Sequence, residues 1–470
     1  MRLIQSIPTS HTPESLVERL AGEPGIVLLR SSFFDSPQAR YSFVAARPML
    51  IFRSFGSRCH WSGSDRLQFG NPWHILEESM ARYELLDQID LPFPLGGCFG
   101  YWGYDLKNFV EPRLPRSAVN DLDLPDCHAG FYDSLVVFDH RLDTTWIIST
   151  GLQPDGSRDA GRARAQFDFW AGHLTAPRKP ATSPVASFLP PVSNLSREAF
   201  IDKVRQAQRY IRAGDIYQVN LSHRLTASAG VAGWPFFQRL CDVSPAPFAA
   251  YLDCGDFQVC SSSPELFLRL SGLDIQTRPI KGTRPRSADS NRDAQLTYEL
   301  QTSPKEMAEL VMITDLLRND LGRVCQYGSI HVPELVRLER YPQVQHLVST
   351  VTGRLRAEQT HFSAFASCFP GGSVTGAPKI RAMEIIDELE PVTRGPYTGA
   401  IGYLGFNRES QLSIAIRTGI CRDGQIHFHA GAGIVADSVA ESEYDETMAK
   451  AAGFIAALRE RQPMSQPARP

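Results

Sequence analysis

The stretch 196–221, SREAFIDKVRQAQRYIRAGDIYQVNL, decides the fold class. Apolar residues recur at helical spacing from Phe200 to Ile211, which predicts an amphipathic helix opened by Ser196. Gly214-Asp215 ends this pattern, and the following residues alternate as in a half-buried strand. Elsewhere, predicted strands and helices mix without a regular strand–helix–strand rhythm. This arrangement favours an α+β fold over a doubly wound sheet.

The composition of the 470 residues is that of an ordinary globular protein, with 43% hydrophobic and 21% charged residues. A formal net charge of −3 provides no global basic field for nucleic acid. No apolar run approaches the length of a membrane-spanning helix, and the first residues lack a secretory signal. Nine cysteines without a C-x-x-C pair indicate reduced thiols and argue against structural zinc. We therefore expect a cytoplasmic protein.

Proline-rich segments predict the organisation of the chain. Residues 176–195 contain five prolines among small polar residues, so they form a linker or crossing. We predict an N-terminal region at 1–175, the catalytic region at 196–460 and a disordered tail at 461–470.

Two predicted helices carry acidic side chains on one face. Glu306 and Glu309 are three residues apart in the first helix. Glu443, Glu446 and Lys450 line one stripe of the second. A solvated charged face is one interpretation, and a capping role for Glu306 is another. If the helices face each other, four carboxylates converge and require a cation, for which oxygen ligands favour Mg²⁺.

Two glycine-rich stretches suggest anion binding. PGGSVTGAPK at 370–379 lacks the ending of a nucleoside triphosphate loop, and HFHAGAGIVA at 427–436 lacks the second strand of a dinucleotide site. Each can still present backbone N–H groups to an anion at a helix start, or form only a tight turn. Arg417 follows in an apparent strand at 412–418, where it would either clamp a carboxylate or lie on an exposed edge.

Lys281 lies in the stretch TRPIKGTRP at 277–285. Ser263-Pro264-Glu265 ends sixteen positions before this lysine. Together with several longer stretches, these residues resemble the chorismate-utilising enzymes from about residue 25 to 458. The resemblance implies a fold of antiparallel sheets in a sandwich surrounded by helices. The further matching stretches are 214–221, 315–324, 345–350, 369–391 and 430–450.

Two positions indicate a place within this family. Aminodeoxychorismate synthases carry P-I-K-G-T where anthranilate synthases carry P-I-A-G-T, and this chain has Lys281. Family members that add water carry a lysine base where this chain has Gln218. The resemblance thus implies amination of chorismate at C4 by a component I, giving 4-amino-4-deoxychorismate for para-aminobenzoate and folate synthesis. Anthranilate synthase component I is the alternative.

The resemblance also implies the roles of individual residues. Lys281 would be a nucleophile, Glu265 an acid and later a base, and His346 a positioning group. The implied substrate-binding residues are Arg417, Tyr403, Gly431, Gly433, Thr283 and Gly376. The implied Mg²⁺ ligands are Glu306, Glu309, Glu443 and Glu446. Lys450 and Gln218 are further expected site residues.

The resemblance further implies a partner subunit. The chain shows no cysteine–histidine glutaminase module, so a glutamine amidotransferase subunit of the para-aminobenzoate type is expected to supply ammonia. The segments around residues 28–31 and 40–43 resemble the part that binds tryptophan in relatives, which makes tryptophan an expected second ligand. Arg30 stands where anthranilate synthases tend to carry an acidic residue, and this argues against feedback inhibition.

Overall fold

The computed structural model describes most of the chain, namely residues 2–31, 39–62, 67–85, 91–177, 190–228, 230, 233–341 and 343–458. Most of the predicted linker, at 178–189, lies outside the described residues, and so does the whole predicted tail at 461–470. No helix in the described ranges is long and apolar enough to cross a membrane.

Several helices of the described residues begin with a side-chain cap, and α5 is an example. Ser196 accepts a hydrogen bond from the Ala199 amide at 3.1 Å, and Gly214 ends the same helix in a left-handed conformation, with φ of 83°. This confirms the helix predicted from residue 196. The α-helices are α1 (Pro13–Arg19), α2 (Pro72–Tyr83), α3 (Lys107–Val110), α4 (Ala160–Thr175), α5 (Arg197–Ala213), α6 (Gly233–Val243), α7 (Ser290–Gln301), α8 (Pro304–Gly322), α9 (His361–Cys368), α10 (Lys379–Leu389) and α11 (Ala440–Leu458).

The strands of the described residues pair in two antiparallel sheets of 12 strands each. In chain order they are β1 (Leu3–Ile7), β2 (Val27–Arg30), β3 (Tyr41–Ala45), β4 (Leu50–Phe55), β5 (Arg58–Trp61), β6 (Leu67–Phe69), β7 (Gly97–Trp102), β8 (Cys127–Tyr132), β9 (Ser134–Asp139), β10 (Thr144–Ser149), β11 (Val192–Ser193), β12 (Gln218–Ser228), β13 (Phe248–Asp253), β14 (Gln258–Ser263), β15 (Leu266–Ser271), β16 (Asp274–Arg278), β17 (Ile280–Pro285), β18 (His331–Arg340), β19 (Val344–Arg354), β20 (Gly376–Ala377), β21 (Ala400–Gly405), β22 (Glu409–Ile414), β23 (Thr418–Arg422) and β24 (Gln425–Ile434).

Both sheets combine strands from the two halves of the chain. The first runs β1-β10-β9-β3-β2-β13-β14-β23-β24-β12-β11, with β20 also paired to β12. The second runs β17-β19-β16-β15-β22-β21-β7-β8-β4-β5-β6, with β18 also paired to β19. The largest apolar cluster joins side chains of both sheets, such as Phe43 of the first and Phe99 of the second. The predicted α+β fold with antiparallel sheets is confirmed, and regions 1–175 and 196–460 share both sheets.

Candidate active site

Gly431 and Gly433 lie inside β24, on one face of the first sheet, opposite Ser222 and Asn220 of β12. A Cβ atom at Gly433 would clash with the Gln218 side-chain nitrogen and would lie 4.0 Å from Lys281 Nζ. Because Gly433 has no side chain, its backbone leaves space for a ligand beside Lys281.

The position of these glycines differs from one sequence-based interpretation. β24 continues to Ile434, so neither glycine forms a strand-to-helix turn or a helix start. The expectation of an anion site at a helix N-terminus is therefore wrong for Gly431 and Gly433. A Cβ atom at Gly431 would lie 2.8 Å from the Tyr397 hydroxyl oxygen, so this tyrosine borders the same bare backbone.

Lys281 is positioned by an irregularity in β17. The pairing of β17 with β19 shifts register between Lys281 and Thr283, and Gly282 between them is left-handed, with φ of 67°. A bulge of this kind redirects the neighbouring side chains and favours glycine at the left-handed position. A Cβ atom at Gly282 would lie 3.2 Å from Glu306 Oε2, so the lysine backbone runs beside the first acidic helix. The half-buried Lys281 thus lies between Gly433 and the glutamates.

Glu265 is a buried acid close to this lysine. Burial raises the pKa of its carboxyl to about 7, while a hydrogen bond from the Ser373 side chain and the charge of Lys281 oppose the shift. The group therefore exchanges its proton near neutral pH, as a general acid or base must. Ser373 belongs to the glycine-rich stretch 370–379, and sequence analysis did not single it out.

His346 lies on β19 with its ring buried against β17. Its Nδ1 is 2.9 Å from the Thr283 hydroxyl oxygen. Burial lowers the pKa of His346 to about 4, and the nearby charge of Arg417 acts in the same direction. The imidazole is therefore neutral at pH 7. The structure brings His346 and Thr283 together, with the threonine itself exposed.

The acidic side chains of α8 and α11 face each other. Burial raises the pKa of Glu309, and the charges of Glu306 and Glu446 contribute to the rise. Burial likewise raises the pKa of Glu443, with a contribution from Glu446. Burial would also raise the pKa of Glu446, but the Lys450 ammonium 2.6 Å away, with the charges of Lys305 and Lys281, outweighs burial and the pKa is lowered. The four glutamates therefore form one electrostatic group.

Two further sets of contacts connect this group of glutamates to neighbouring residues. The Glu306 amide donates to the Ser303 hydroxyl at 3.4 Å, so Ser303 caps α8. The Glu306 carboxylate does not complete a capping box and lies 3.4 Å from Arg284, so the capping role predicted for this side chain is wrong. Lys450 Nζ donates to the Gly431 carbonyl oxygen at 3.0 Å, so it connects α11 with β24.

The donor chemistry of the glutamates fits a hard cation. Carboxylate oxygens are the ligands that Mg²⁺ prefers, and their mutual repulsion would be relieved by a divalent charge. In the described ranges, however, no three His, Cys, Asp or Glu side chains are gathered closely enough to hold a metal ion alone. The Mg²⁺ site at these glutamates therefore stays a prediction.

Arg417 lies at a crossing between the two sheets. The predicted strand at 412–418 is wrong, because β22 ends at Ile414 in the second sheet and β23 begins at Thr418 in the first. The chain changes sheets between these two strands, and Arg417 lies in the connection with a left-handed φ of 49°. Burial lowers the pKa of its half-buried guanidinium, which makes no ion pair with a described residue. Such an arginine is suited to bind a carboxylate.

Tyr403 is placed apart from these residues. It lies on β21, where its ring centroid is 5.1 Å from that of Phe43 and 5.3 Å from that of Phe99. It borders a separate pocket, which Arg30 and Ser31 also line. This pocket includes part of the segments in which tryptophan binding was expected. Tyr397 instead lies beside Gly431. Sequence analysis missed this tyrosine, because only the neighbouring Pro and Gly residues mark its position in the sequence.

The remaining predicted residues, Gln218 and Gly376, form one corner of the site. Gly376 of β20 pairs with Val219 of β12, and a side chain at this glycine would collide with the Gln218 backbone. The buried Gln218 side chain has an amide oxygen without a hydrogen-bond partner among the described residues. This oxygen is therefore available to a bound ligand.

Comparisons with known proteins agree with this arrangement. Residues 30–456 match the family described as chorismate binding enzyme. The chain is 40% identical over 461 residues to anthranilate synthase component 1 of Acetivibrio thermocellus, covering 96% of this chain and 93% of the relative. It is 41% identical over 442 residues to aminodeoxychorismate synthase component 1 of Escherichia coli (strain K12), covering 93% and 94%. The crystal structure of anthranilate synthase component I from Streptococcus pneumoniae TIGR4 has a TM-score of 0.78 at 31% identity, covering 90% of this chain and 94% of that chain.

Proposed function

The chain belongs to the family of chorismate-binding enzymes, and we propose that it is an aminodeoxychorismate synthase component I. In this proposal it converts chorismate and ammonia to 4-amino-4-deoxychorismate, the precursor of para-aminobenzoate and folate. The supporting observation is the position of Lys281, whose amine borders Gly433 and the glutamate group. An amine at this position is available as a nucleophile toward a ring bound over the β24 glycines.

Chorismate carries two carboxylates, and the site offers a partner for each. Arg417 would bind the enolpyruvyl carboxylate, because its guanidinium makes no ion pair with a described residue. The bare backbone at Gly431 and Gly433 would approach the ring carboxylate. Glu306, Glu309, Glu443 and Glu446 would hold Mg²⁺. When bound, this ion would supply charge stabilisation for the ring carboxylate.

The proposed reaction uses Lys281 and Glu265 in two stages. The amine of Lys281, which must be neutral to react, forms a bond to C2, the ring double bonds shift, and the C4–O bond breaks as Glu265 protonates the departing hydroxyl group. Ammonia then forms a bond to C4, the double bonds shift back and the C2–N bond to Lys281 breaks. Glu265 accepts the proton released by the added ammonia. Its pKa of about 7 suits both directions of transfer.

A covalent adduct with Lys281 tests this proposal. With chorismate and Mg²⁺ but no ammonia, mass spectrometry is expected to detect an adduct on the wild-type chain. The adduct is expected to be absent from Lys281→Ala and retained in Lys305→Ala, which removes another lysine close to the glutamates. Turnover by Lys281→Ala at the wild-type rate would rule out the nucleophile.

Anthranilate synthase component I is the second candidate, because relatives with that name have nearly the same identity, 40% against 41%. The products separate the two activities. With chorismate, Mg²⁺ and ammonia, anthranilate fluorescence would develop directly. Aminodeoxychorismate would give para-aminobenzoate only after a lyase is added.

The ammonia is proposed to come from a separate glutamine amidotransferase subunit. The relatives are named as component 1 of their synthases, which supports a second component. The isolated chain is therefore expected to use ammonium salts, whereas glutamine would support turnover only in the presence of the partner.

A further inference from the structure

An ion pair between Glu390 and Arg394 lies beside the candidate active site. Both side chains are buried, with 5% and 1% exposed. Arg394 Nε donates to one carboxylate oxygen of Glu390 at 2.8 Å, and Nη2 donates to the other at 2.7 Å. Two parallel hydrogen bonds of this kind fix the angle between the groups as well as their distance. The guanidinium therefore has one defined orientation.

Arg394 uses the rest of its hydrogen-bonding capacity on three other segments of the chain. Nη2 also donates to the Asn220 carbonyl oxygen of β12 at 2.7 Å. Nη1 donates to the Val374 carbonyl oxygen at 3.2 Å and to the Thr398 hydroxyl oxygen at 3.1 Å. All five N–H groups of the guanidinium thus have acceptors. One side chain therefore joins β12, the glycine-rich stretch 370–379 and the segment before β21.

The partners of the ion pair on β12 lie directly opposite the glycines of the candidate site. Asn220 pairs with Gly433, and Ser222 pairs with Gly431. Glu390 accepts hydrogen bonds from the Ser222 amide at 2.8 Å and from the Ser222 hydroxyl at 2.9 Å. The ion pair therefore fixes the strand against which the bare backbone of β24 lies.

Thr398 extends this network to Tyr397. The Thr398 hydroxyl donates to the Tyr397 carbonyl oxygen at 2.7 Å while it accepts from Arg394. The buried Thr398 has a left-handed φ of 59°, which is strained for a β-branched residue and persists only where surrounding contacts hold it. The guanidinium carbon also lies 5.7 Å from the centroid of the Tyr397 ring. Arg394 therefore helps to set the place of Tyr397, whose hydroxyl borders Gly431.

The contact of Arg394 with Val374 fixes the residue next to Ser373, whose side chain hydrogen-bonds Glu265. We propose that Arg394 is a positioning residue, which fixes Ser373 and Tyr397 for the reaction without touching the substrate. The inference rests on the proposed binding of chorismate over the β24 glycines. Lysine cannot replace Arg394 in this role, because its ammonium offers three N–H groups from a single nitrogen.

The substitution Arg394→Lys tests this role, because it keeps the charge but cannot reach all the acceptors. With chorismate, MgCl₂ and ammonium chloride, kcat is expected to fall about tenfold or more, since a small displacement of reacting groups slows the chemical step. The KM for chorismate is expected to stay within about threefold, because Arg417 and the glutamates are unchanged. Arg162→Lys is the matched control. It alters a bidentate pair with Asp133 in region 1–175, outside the candidate site, and is expected to keep the wild-type kcat.

A pH profile separates positioning from a purely structural role. Displacement of Ser373 would weaken its hydrogen bond to Glu265, so the alkaline limb of the kcat–pH profile is expected to move to higher pH in Arg394→Lys. The double variant with Ser373→Ala is expected to move the limb no further than Ser373→Ala alone, because both substitutions act through the same contact. Lys281, the charged group near Glu265, is unchanged in each variant.

Variants of Thr398 carry the test if Arg394→Lys does not fold. Thr398→Val keeps the shape of the side chain but removes the hydroxyl, so kcat is expected to fall several-fold. Thr398→Ser keeps the hydroxyl and is expected to retain most of the wild-type kcat. A wild-type kcat in Thr398→Val, or in Arg394→Lys with an unmoved alkaline limb, would overturn the positioning role. Formation of anthranilate by the wild-type chain would instead overturn the proposed function, and the same variants would then test the positioning role on that product.

Discussion

Glu265 and His346 owe their protonation states to burial. Burial raises the pKa of Glu265 to about 7 and lowers that of His346 to about 4, because a low-dielectric environment disfavours the charged form of each. The Ser373 hydroxyl opposes the shift at Glu265, because its hydrogen bond favours the ionised carboxylate. This single contact therefore adjusts the pH range in which Glu265 can deliver a proton.

Replacing Ser373 with alanine is expected to raise the pKa of Glu265 above about 7. The proposed loss of the C4 hydroxyl requires the protonated acid, so activity falls as pH rises through this pKa. In Ser373→Ala the alkaline limb of the kcat–pH profile is expected to move to higher pH. Ser157→Ala, at an exposed serine, is the control and keeps the wild-type limb. An unmoved limb in Ser373→Ala would contradict the assignment.

At the scale of elements, the start of α10 is tied to α8 by one buried ion pair. Lys379 Nζ lies 2.7 Å from both carboxylate oxygens of Asp320, and it also donates to the carbonyl oxygens of Cys368, at the end of α9, and of Pro370. The pair is largely buried, with 12% and 5% of the two side chains exposed. The ion pair therefore keeps the segment that carries Ser373 next to α8, the helix that carries Glu309.

Breaking this pair in Lys379→Met would leave Asp320 buried without its partner. We expect a loss of about 3–5 kcal/mol in the free energy of unfolding, measured by urea denaturation. Arg318→Met breaks an exposed pair with Asp315 on the same helix and is expected to cost less than about 1 kcal/mol. Equal losses in the two variants would show that the buried pair does not stabilise the segment.

At the scale of the whole molecule, the shared sheets couple the two halves of the chain. In the first sheet β2 lies beside β13, and in the second β7 lies beside β21. Each of these pairs joins a strand from region 1–175 to one from region 196–460. Removing either region would expose strand edges and apolar side chains in both sheets.

A fragment of residues 196–458 is therefore expected not to fold cooperatively. Calorimetry of the full chain is expected to show one unfolding transition, whereas the fragment is expected to show none and to lack near-ultraviolet circular dichroism. A fragment mixed with residues 1–175 is the control, since the mixture contains every strand pair of the described residues except that of β11 with β12. A cooperative transition in the isolated fragment would contradict the coupling.

Local sequence signals predicted part of the secondary structure and several of the residues at the candidate active site. Helical spacing with Ser196 and Gly214 at its ends predicted α5, because caps and periodicity act within a few residues. The motif around Lys281 and the paired glutamates pointed to the residues that gather at the site. These features are readable from the sequence because neighbouring residues impose them.

Only the tertiary structure decided which distant residues meet. The apparent strand through Arg417 is broken because the chain changes sheets there, and that change depends on strands far away in the sequence. Tyr397 rather than Tyr403 borders Gly431 for the same reason. The sequence by itself thus determined α5, the two acidic helices, the family resemblance and most of the reactive groups. The pairing of two interleaved sheets, a long-range property, determined how these groups are arranged.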